Sequence, residues 1–189
     1  MAKYAMLIDP SRCTGCAACG IACQLQWQLP KEMHYNHLEF AEKGKYPEAW
    51  LEILPVQCQH CEDAPCLKHC PTDATYRRED GIVDVDPEEC IECQICVQAC
   101  PYDVRVVNQE TGVPEKCKFC SDFVDQGETP ACVSTCMNEV RIFGDLDDPD
   151  SEISKAMAKE DTYQLLAEEG TEPRVYYVLK GEKIEFSGK

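Results

Sequence analysis

The chain has 189 residues, room for one or two small domains, and 18 Lys and Arg against 35 Asp and Glu give it a formal charge of −17. Such acidity argues against nucleic acid or an anionic lipid surface as a direct partner. No stretch approaches 18 apolar residues, so no membrane span is expected, and MAKYAMLIDP lacks the basic segment and apolar core of a secretory leader.

In chain order, an apolar run at 5–8 reads as a strand, and Asp9-Pro10-Ser11-Arg12 leads into a first cysteine quartet, Cys13, Cys16, Cys19 and Cys23. Residues 24–57 form an insertion in which 49–54 reads as a strand. Trp27, Tyr35 and Trp50 are expected there as core or lid residues over the first quartet, with a partner-contact surface as the alternative, and His34 and His37 as surface residues. The second quartet is Cys58, Cys61, Cys66 and Cys70; His60 and His69 lie within it and are expected to neighbour the sulfur site or face solvent rather than bind metal. Asp80-Gly81 between two extended runs predicts a hairpin whose second strand covers 82–85. Asp86-Pro87-Glu88-Glu89 then introduces the third quartet, Cys90, Cys93, Cys96 and Cys100, as Asp9-Pro10 introduces the first. This is the mark of an internal duplication. A strand and a Gly-containing turn in VRVVNQETGVPEKC precede the fourth quartet, Cys117, Cys120, Cys132 and Cys136. From Asp145 onward cysteine is absent, and the tail reads as helix over 151–159, a second helical stretch at 162–169, and a strand at 174–179.

Sixteen cysteines in four quartets leave none over, and four thiolates is what one cubane iron-sulfur cluster consumes. The count therefore predicts four 4Fe-4S clusters. Disulfides suit a small secreted protein, and zinc modules usually draw ligands from separated pairs, whereas CIECQICVQACP carries the bacterial-ferredoxin spacing CxxCxxCxxxCP. Zinc remains the alternative that metal analysis would settle. With a mean hydropathy of −0.40, the fold is expected to rest on the clusters more than on an extensive apolar core.

In ferredoxin folds the fourth thiolate of a quartet reaches across to a second cluster. Only 19 residues separate Cys70 from Cys90, so the second and third quartets are expected to form one unit and the first and fourth to close around it. Four ligand sets follow: Cys13, Cys16, Cys19 with Cys136; Cys117, Cys120, Cys132 with Cys23; Cys58, Cys61, Cys66 with Cys100; and Cys90, Cys93, Cys96 with Cys70. The alternative draws each set from a single quartet. Either way no iron position is left vacant for substrate, and no catalytic residue is expected. The fold class is α+β, with two nested ferredoxin-like domains, 1–57 with 112–148 and 58–111, and a C-terminal docking tail at 149–189.

The motifs CTGCAACGIAC, CQHCEDAPCLKHCPTDA, CIECQICVQACPYDVR, KCKFC, TPACVSTC and FGDLDDPDS make the span 4–151 resemble the four-cluster iron-sulfur subunits of the dimethyl sulfoxide reductase superfamily of molybdopterin oxidoreductases, with the polysulfide and thiosulfate reductase type most similar. The resemblance implies a complex used in anaerobic respiration. Its parts would be a catalytic subunit with a molybdenum or tungsten bis-pterin, this chain as electron carrier, and a membrane quinone-binding subunit of the polysulfide reductase C type. It implies that the Cys13 triad faces the catalytic subunit and the Cys90 triad the membrane partner. It further implies a full cubane at Cys93, a position some members replace. Attachment to the membrane would run through the partner, on the extracytoplasmic (periplasmic) face by co-export, with the cytoplasmic face also compatible. Met137 departs from the proline usual after the last cysteine, which leaves that exit geometry to be determined. A second reading is a polyferredoxin-like subunit of a cytosolic formate dehydrogenase or hydrogenase.

Overall fold

The computed structural model describes residues 2–186 and 188. The chain opens with β1 (Tyr4–Ile8), a single 3-10 turn at Pro10–Arg12, and α1 (Ala18–Trp27), the one helix longer than two turns among the described residues. The insertion forms a long antiparallel hairpin, β2 (Asn36–Lys43) and β3 (Trp50–Gln57), in register from Asn36 opposite Gln57 to Lys43 opposite Trp50. One-turn helices and two small hairpins follow: α2 (Pro65–Lys68), β4 (Thr75–Arg77) with β5 (Val83–Val85), α3 (Ile95–Gln98), β6 (Val106–Val107) with β7 (Pro114–Glu115), α4 (Ser121–Val124) and α5 (Ala131–Ser134). The chain ends with β8 (Arg141–Asp145), α6 (Glu152–Met157), β9 (Thr162–Tyr163), a 3-10 turn at Ala167–Glu169, and β10 (Val175–Val178).

Both ends of the chain build the largest sheet, of order β8-β1-β10-β9. β1 runs antiparallel to β8 and parallel to β10, with Leu7 opposite Ile142 on one side and Tyr176 on the other. Alternation along the strands sorts the residues onto two faces. Met6, Ile8, Val175 and Tyr177 join the main core, while Ala5, Leu7 and Val178 pack against Ile153 of α6. Ser151 starts that helix, its Oγ accepting from the Ser154 amide at 3.2 Å, as a serine at the N-cap does.

Among the described residues of the C-terminal segment, β10 lies between β1 and β9 and so belongs to the main sheet. The expected helix at 162–169 does not form: Thr162 and Tyr163 pair with Val178 and Tyr177, and cross-strand pairing overrides the local helical pattern. The apolar core is also larger than the low mean hydropathy suggests. Tyr102, Phe119, Leu54, Val56, Ile82 and Tyr177 are all nearly or fully buried, and they pack in one cluster with Cys58, Cys61, Cys66, Cys96, Cys100, Cys117 and Cys132.

The hairpin turn at Asp80-Gly81 forms where expected, with Gly81 at φ +84. A Cβ there would lie 1.4 Å from Nη1 of Arg174, whose Nε donates to Glu62 at 2.8 Å. Gly81→Val is accordingly expected to cost about 1–3 kcal/mol through backbone strain, read as an earlier thermal transition of the intact protein. An unchanged transition would mean that Arg174 swings clear without loss.

Candidate metal centres

The four loops carrying the quartets share local geometry that their sequences only hint at. In the first and third, Gly15 and Glu92 hold positive φ one residue before the second cysteine, and Ala17 and Gln94 hold it one residue after. In the second and fourth, His60 and Phe119 occupy the matching left-handed position before the second cysteine. Left-handed backbone at non-glycine residues is strained and persists only where surrounding structure enforces it. Alternation of left- and right-handed residues turns successive amides into a concavity that favours anions. The amides of Gly15, His60 and Phe119 bond back to the sulfurs of Cys13, Cys58 and Cys117.

The exits match as well. Asp73, Asp103 and Glu139 all have positive φ three residues beyond Cys70, Cys100 and Cys136. The amides of Thr75 and Val140 reach Cys70 Sγ and Cys136 Sγ at 3.4 Å, and Val104 reaches Cys100. Met137, 94% exposed, thus follows Cys136 into the same turn that Pro71 and Pro101 enter, so the missing proline does not alter the exit.

The fold gathers the thiols across quartets. Cys13, Cys16, Cys19 and Cys136 line one cavity; Cys58, Cys61, Cys66 and Cys100 line a second; Cys70, Cys90, Cys93 and Cys96 line a third. Cys23 lies close enough to Cys132, Cys120 and Cys117 for their charges to interact, which assembles the remaining four. Neighbouring sets approach each other in a row, through Cys19 and Cys132, then Cys117 and Cys58, then Cys66 and Cys96. Cys16 and Cys93, in the two terminal sets, are exposed, whereas all eight thiols of the two inner sets are buried.

Burial pushes the thiols up: Cys23 and Cys61 to about 12 and Cys132 to about 11, with neighbouring thiols adding to the rise. Left to themselves they would be neutral at pH 7. Yet three cations are buried among them, Arg105, Lys116 and Arg141. The Lys116 ammonium donates to the Val83 and Cys117 carbonyls and Arg141 to Gln57 Oε1, but Arg105 meets no oxygen or nitrogen acceptor among the described residues, only the sulfurs of Cys66 and Cys96. A buried guanidinium whose only acceptors are neutral thiols is costly. The arrangement makes sense when the thiols are metal-bound thiolates, because coordination deprotonates them outright and supplies anionic sulfur as acceptor. Among the described residues no group of three or more His, Cys, Asp or Glu side chains stands close enough to hold a single metal ion.

The histidines fall where expected, the aromatic side chains only in part. His60 is fully buried, accepts the Val83 amide on Nδ1 at 3.2 Å, and stacks on Phe119 with ring centroids 3.7 Å apart; burial lowers its pKa well below the usual range, so it is neutral. His69, His34 and His37 are exposed. Tyr35 is buried and donates to Glu115, but beside Cys23 and Cys117 rather than the first triad. Trp27 bonds to Cys120, and Trp50, at the hairpin's end, is 59% exposed, so neither covers the Cys13 cage. Arg105 and Arg141, the buried arginines beside the thiols, are not pointed to by cysteine spacing, although the sequence carries a signal for them. Val104-Arg105 and Val140-Arg141 end the parallel strings CPYDVR and CMNEVR, five residues past the last cysteine of their quartets.

Residues 49–146 match the family model of a 4Fe-4S dicluster domain. The chain is 42% identical to the B component of the tetrathionate reductase of Salmonella typhimurium, over 93% of this chain and 72% of the relative. It is 38% identical to the B component of the polysulfide reductase of Wolinella succinogenes, covering 93% and 94% of the two proteins. The thiosulfate reductase electron transfer subunit of Salmonella typhi is 42% identical over 86% and 85%. The protein belongs to this family of reductase iron-sulfur subunits. Family membership makes it an electron-transfer subunit and not an enzyme by itself. No helix among the described residues is long and apolar enough to cross a membrane.

Proposed function

We propose that this subunit carries four 4Fe-4S clusters in a row and links a membrane quinone-binding subunit to a molybdenum or tungsten bis-pterin catalytic subunit of the polysulfide or thiosulfate reductase kind. The observation that carries the reading is the gathering of sixteen thiols into four sets of four, drawn across quartets and following one another through the fold. When bound, each cluster supplies a one-electron carrier. The chain's own residues do the rest. Inward-turned amides hold the sulfurs, the apolar core keeps water from the inner sets, and Cys16 and Cys93 bring the terminal sets to the surface.

Each exposed end lies beside apolar side chains suited to a partner. Ile21 and Leu25 of α1 and Met137 stand exposed in the segments forming the Cys13 cage, and Ile91 and Ile95 in the loop forming the Cys90 cage. In this reading the first end meets the catalytic subunit and the second the membrane subunit, on the extracytoplasmic face. The test is isolation of the native complex. About sixteen irons per chain, a bis-pterin subunit and a multi-span membrane protein are expected together. Zinc in place of iron would overturn the cofactor assignment, and a hydrogenase or soluble dehydrogenase in place of those partners would overturn the assembly.

A further inference from the structure

Arg105 and Arg141 each lie five residues beyond the fourth cysteine of a quartet, Cys100 and Cys136. Both are buried, at 4% and 2% exposure, a rare state for a side chain that cannot shed its charge. Each faces sulfurs from two sets. The neighbours of Arg105 are Cys66 and Cys58 from one and Cys96 from the next; those of Arg141 are Cys132 and Cys117 from one and Cys19 from the next.

The two differ in what else they touch. Arg141 gives Nη1 to Gln57 Oε1, with Met6 Sδ at 3.6 Å, and places Nη2 4.0 Å from Cys19 Sγ. Arg105 has no such oxygen acceptor: among the described residues its nitrogens meet only sulfur, that of Cys66 on one side and of Cys96 on the other, and it lines the cavity of Cys58, Cys61, Cys66 and Cys100. A guanidinium carries five N–H donors in a fixed fork and can serve acceptors on two sides at once.

We infer that Arg105 is a positioning residue shared by two clusters, its fork donating to sulfur of the Cys58, Cys61, Cys66, Cys100 set and of the Cys70, Cys90, Cys93, Cys96 set together, and that Arg141 does the same less completely for the other pair. This rests on the four-cluster reading above. Adding an electron makes a cluster more negative, so a fixed cation and N–H donors at its sulfurs stabilise the reduced form and raise its potential. One side chain would thereby set two potentials at once and keep adjacent carriers in step.

The test is an EPR-monitored redox titration of the isolated complex carrying Arg105→Gln, Arg105→Lys or Arg141→Gln, with iron and sulfide measured on each preparation. In Arg105→Gln, two of the four midpoints are expected to fall, each by about tenfold in the reduction equilibrium, which is about 59 mV for one electron, while the other two stay. Arg141→Gln is expected to move the complementary two. Arg105→Lys keeps the charge but not the fork and is expected to move the same two midpoints as Arg105→Gln by a smaller step. It also serves as the readable variant if the glutamine protein loses iron. Full iron with all midpoints unmoved in both Arg105 variants, or a shift confined to one cluster, would overturn the inference. Wild-type protein lacking about sixteen irons would instead overturn the cofactor reading on which it stands.

Discussion

Stripping iron from this subunit is expected to unfold it cooperatively instead of leaving an apo-protein with its sheets in place. The main core includes buried Cys23, Cys58, Cys61, Cys66, Cys96, Cys100, Cys117 and Cys132, so the cages are continuous with the packing of Met6, Ile8, Leu54, Ile82 and Phe119. Without metal the buried thiols take up protons, because burial has pushed Cys23 and Cys61 to about 12 and Cys132 to about 11. The sign is then plain: at pH 7 the sulfurs are neutral, and Arg105, Lys116 and Arg141 lose their counter-charge. A buried charge deprived of its partner costs about 3–5 kcal/mol, and three of them together rival the whole stability of a domain, on the order of 5–15 kcal/mol. Chelation under anaerobic, reducing conditions followed by far-UV circular dichroism and limited proteolysis checks this. Loss of native ellipticity and of protease resistance together is the expected result. An apo-protein that keeps both and melts cooperatively would show that the apolar contacts suffice.

That dependence explains which features could be read from the sequence. Cysteine spacing is a local property, and so are the Asp80-Gly81 turn and the Ser151 cap, and all of these stand where the sequence puts them. The place of β10 is not local. It pairs in parallel with β1 from the other end of the chain, and nothing in VYYV announces that partner. Once β10 is seated, it draws Thr162 and Tyr163 into a strand against the helical pattern of their own segment. Trp50 departs from expectation for a similar reason. Aromatic character favours burial, but the register of β2 with β3 places it beside the turn at the tip of a long hairpin, opposite Lys43. Arg105 and Arg141 are hidden by composition, because among 18 basic residues nothing marks these as lying beside the thiols except their matched distance from Cys100 and Cys136.

The exchange of thiolates between quartets gives the sharpest test of the site. Cys136→Ser is expected to damage the same cluster as Cys13→Ser, and Cys23→Ser the same cluster as Cys117→Ser, although in sequence Cys23 neighbours Cys13 and Cys136 neighbours Cys117. The packing behind this expectation is specific. α1 carries Cys19 and Cys23 on one helix, yet Cys19 lines the cavity shared with Cys136 while Cys23 meets Cys132 and Cys120. α1 lies against α5, the one-turn helix that holds Cys132, which brings the odd thiol of each quartet to the other's triad. Each serine variant is expected to lose one EPR signal, and iron to fall from about sixteen to about twelve per chain, or to about fifteen where a three-iron cluster survives. Matching signals lost by Cys136→Ser and Cys13→Ser would establish the exchange; matching losses from Cys23→Ser and Cys13→Ser would establish unswapped quartets and overturn it. The exposed Cys16 and Cys93 sharpen the reading further. Serine there leaves the three less exposed sulfurs of each set in place, so those two variants are expected to convert a terminal cluster without unfolding the chain. Cys117→Ser or Cys58→Ser, buried where the two inner sets meet, is expected to cost stability as well as a cluster.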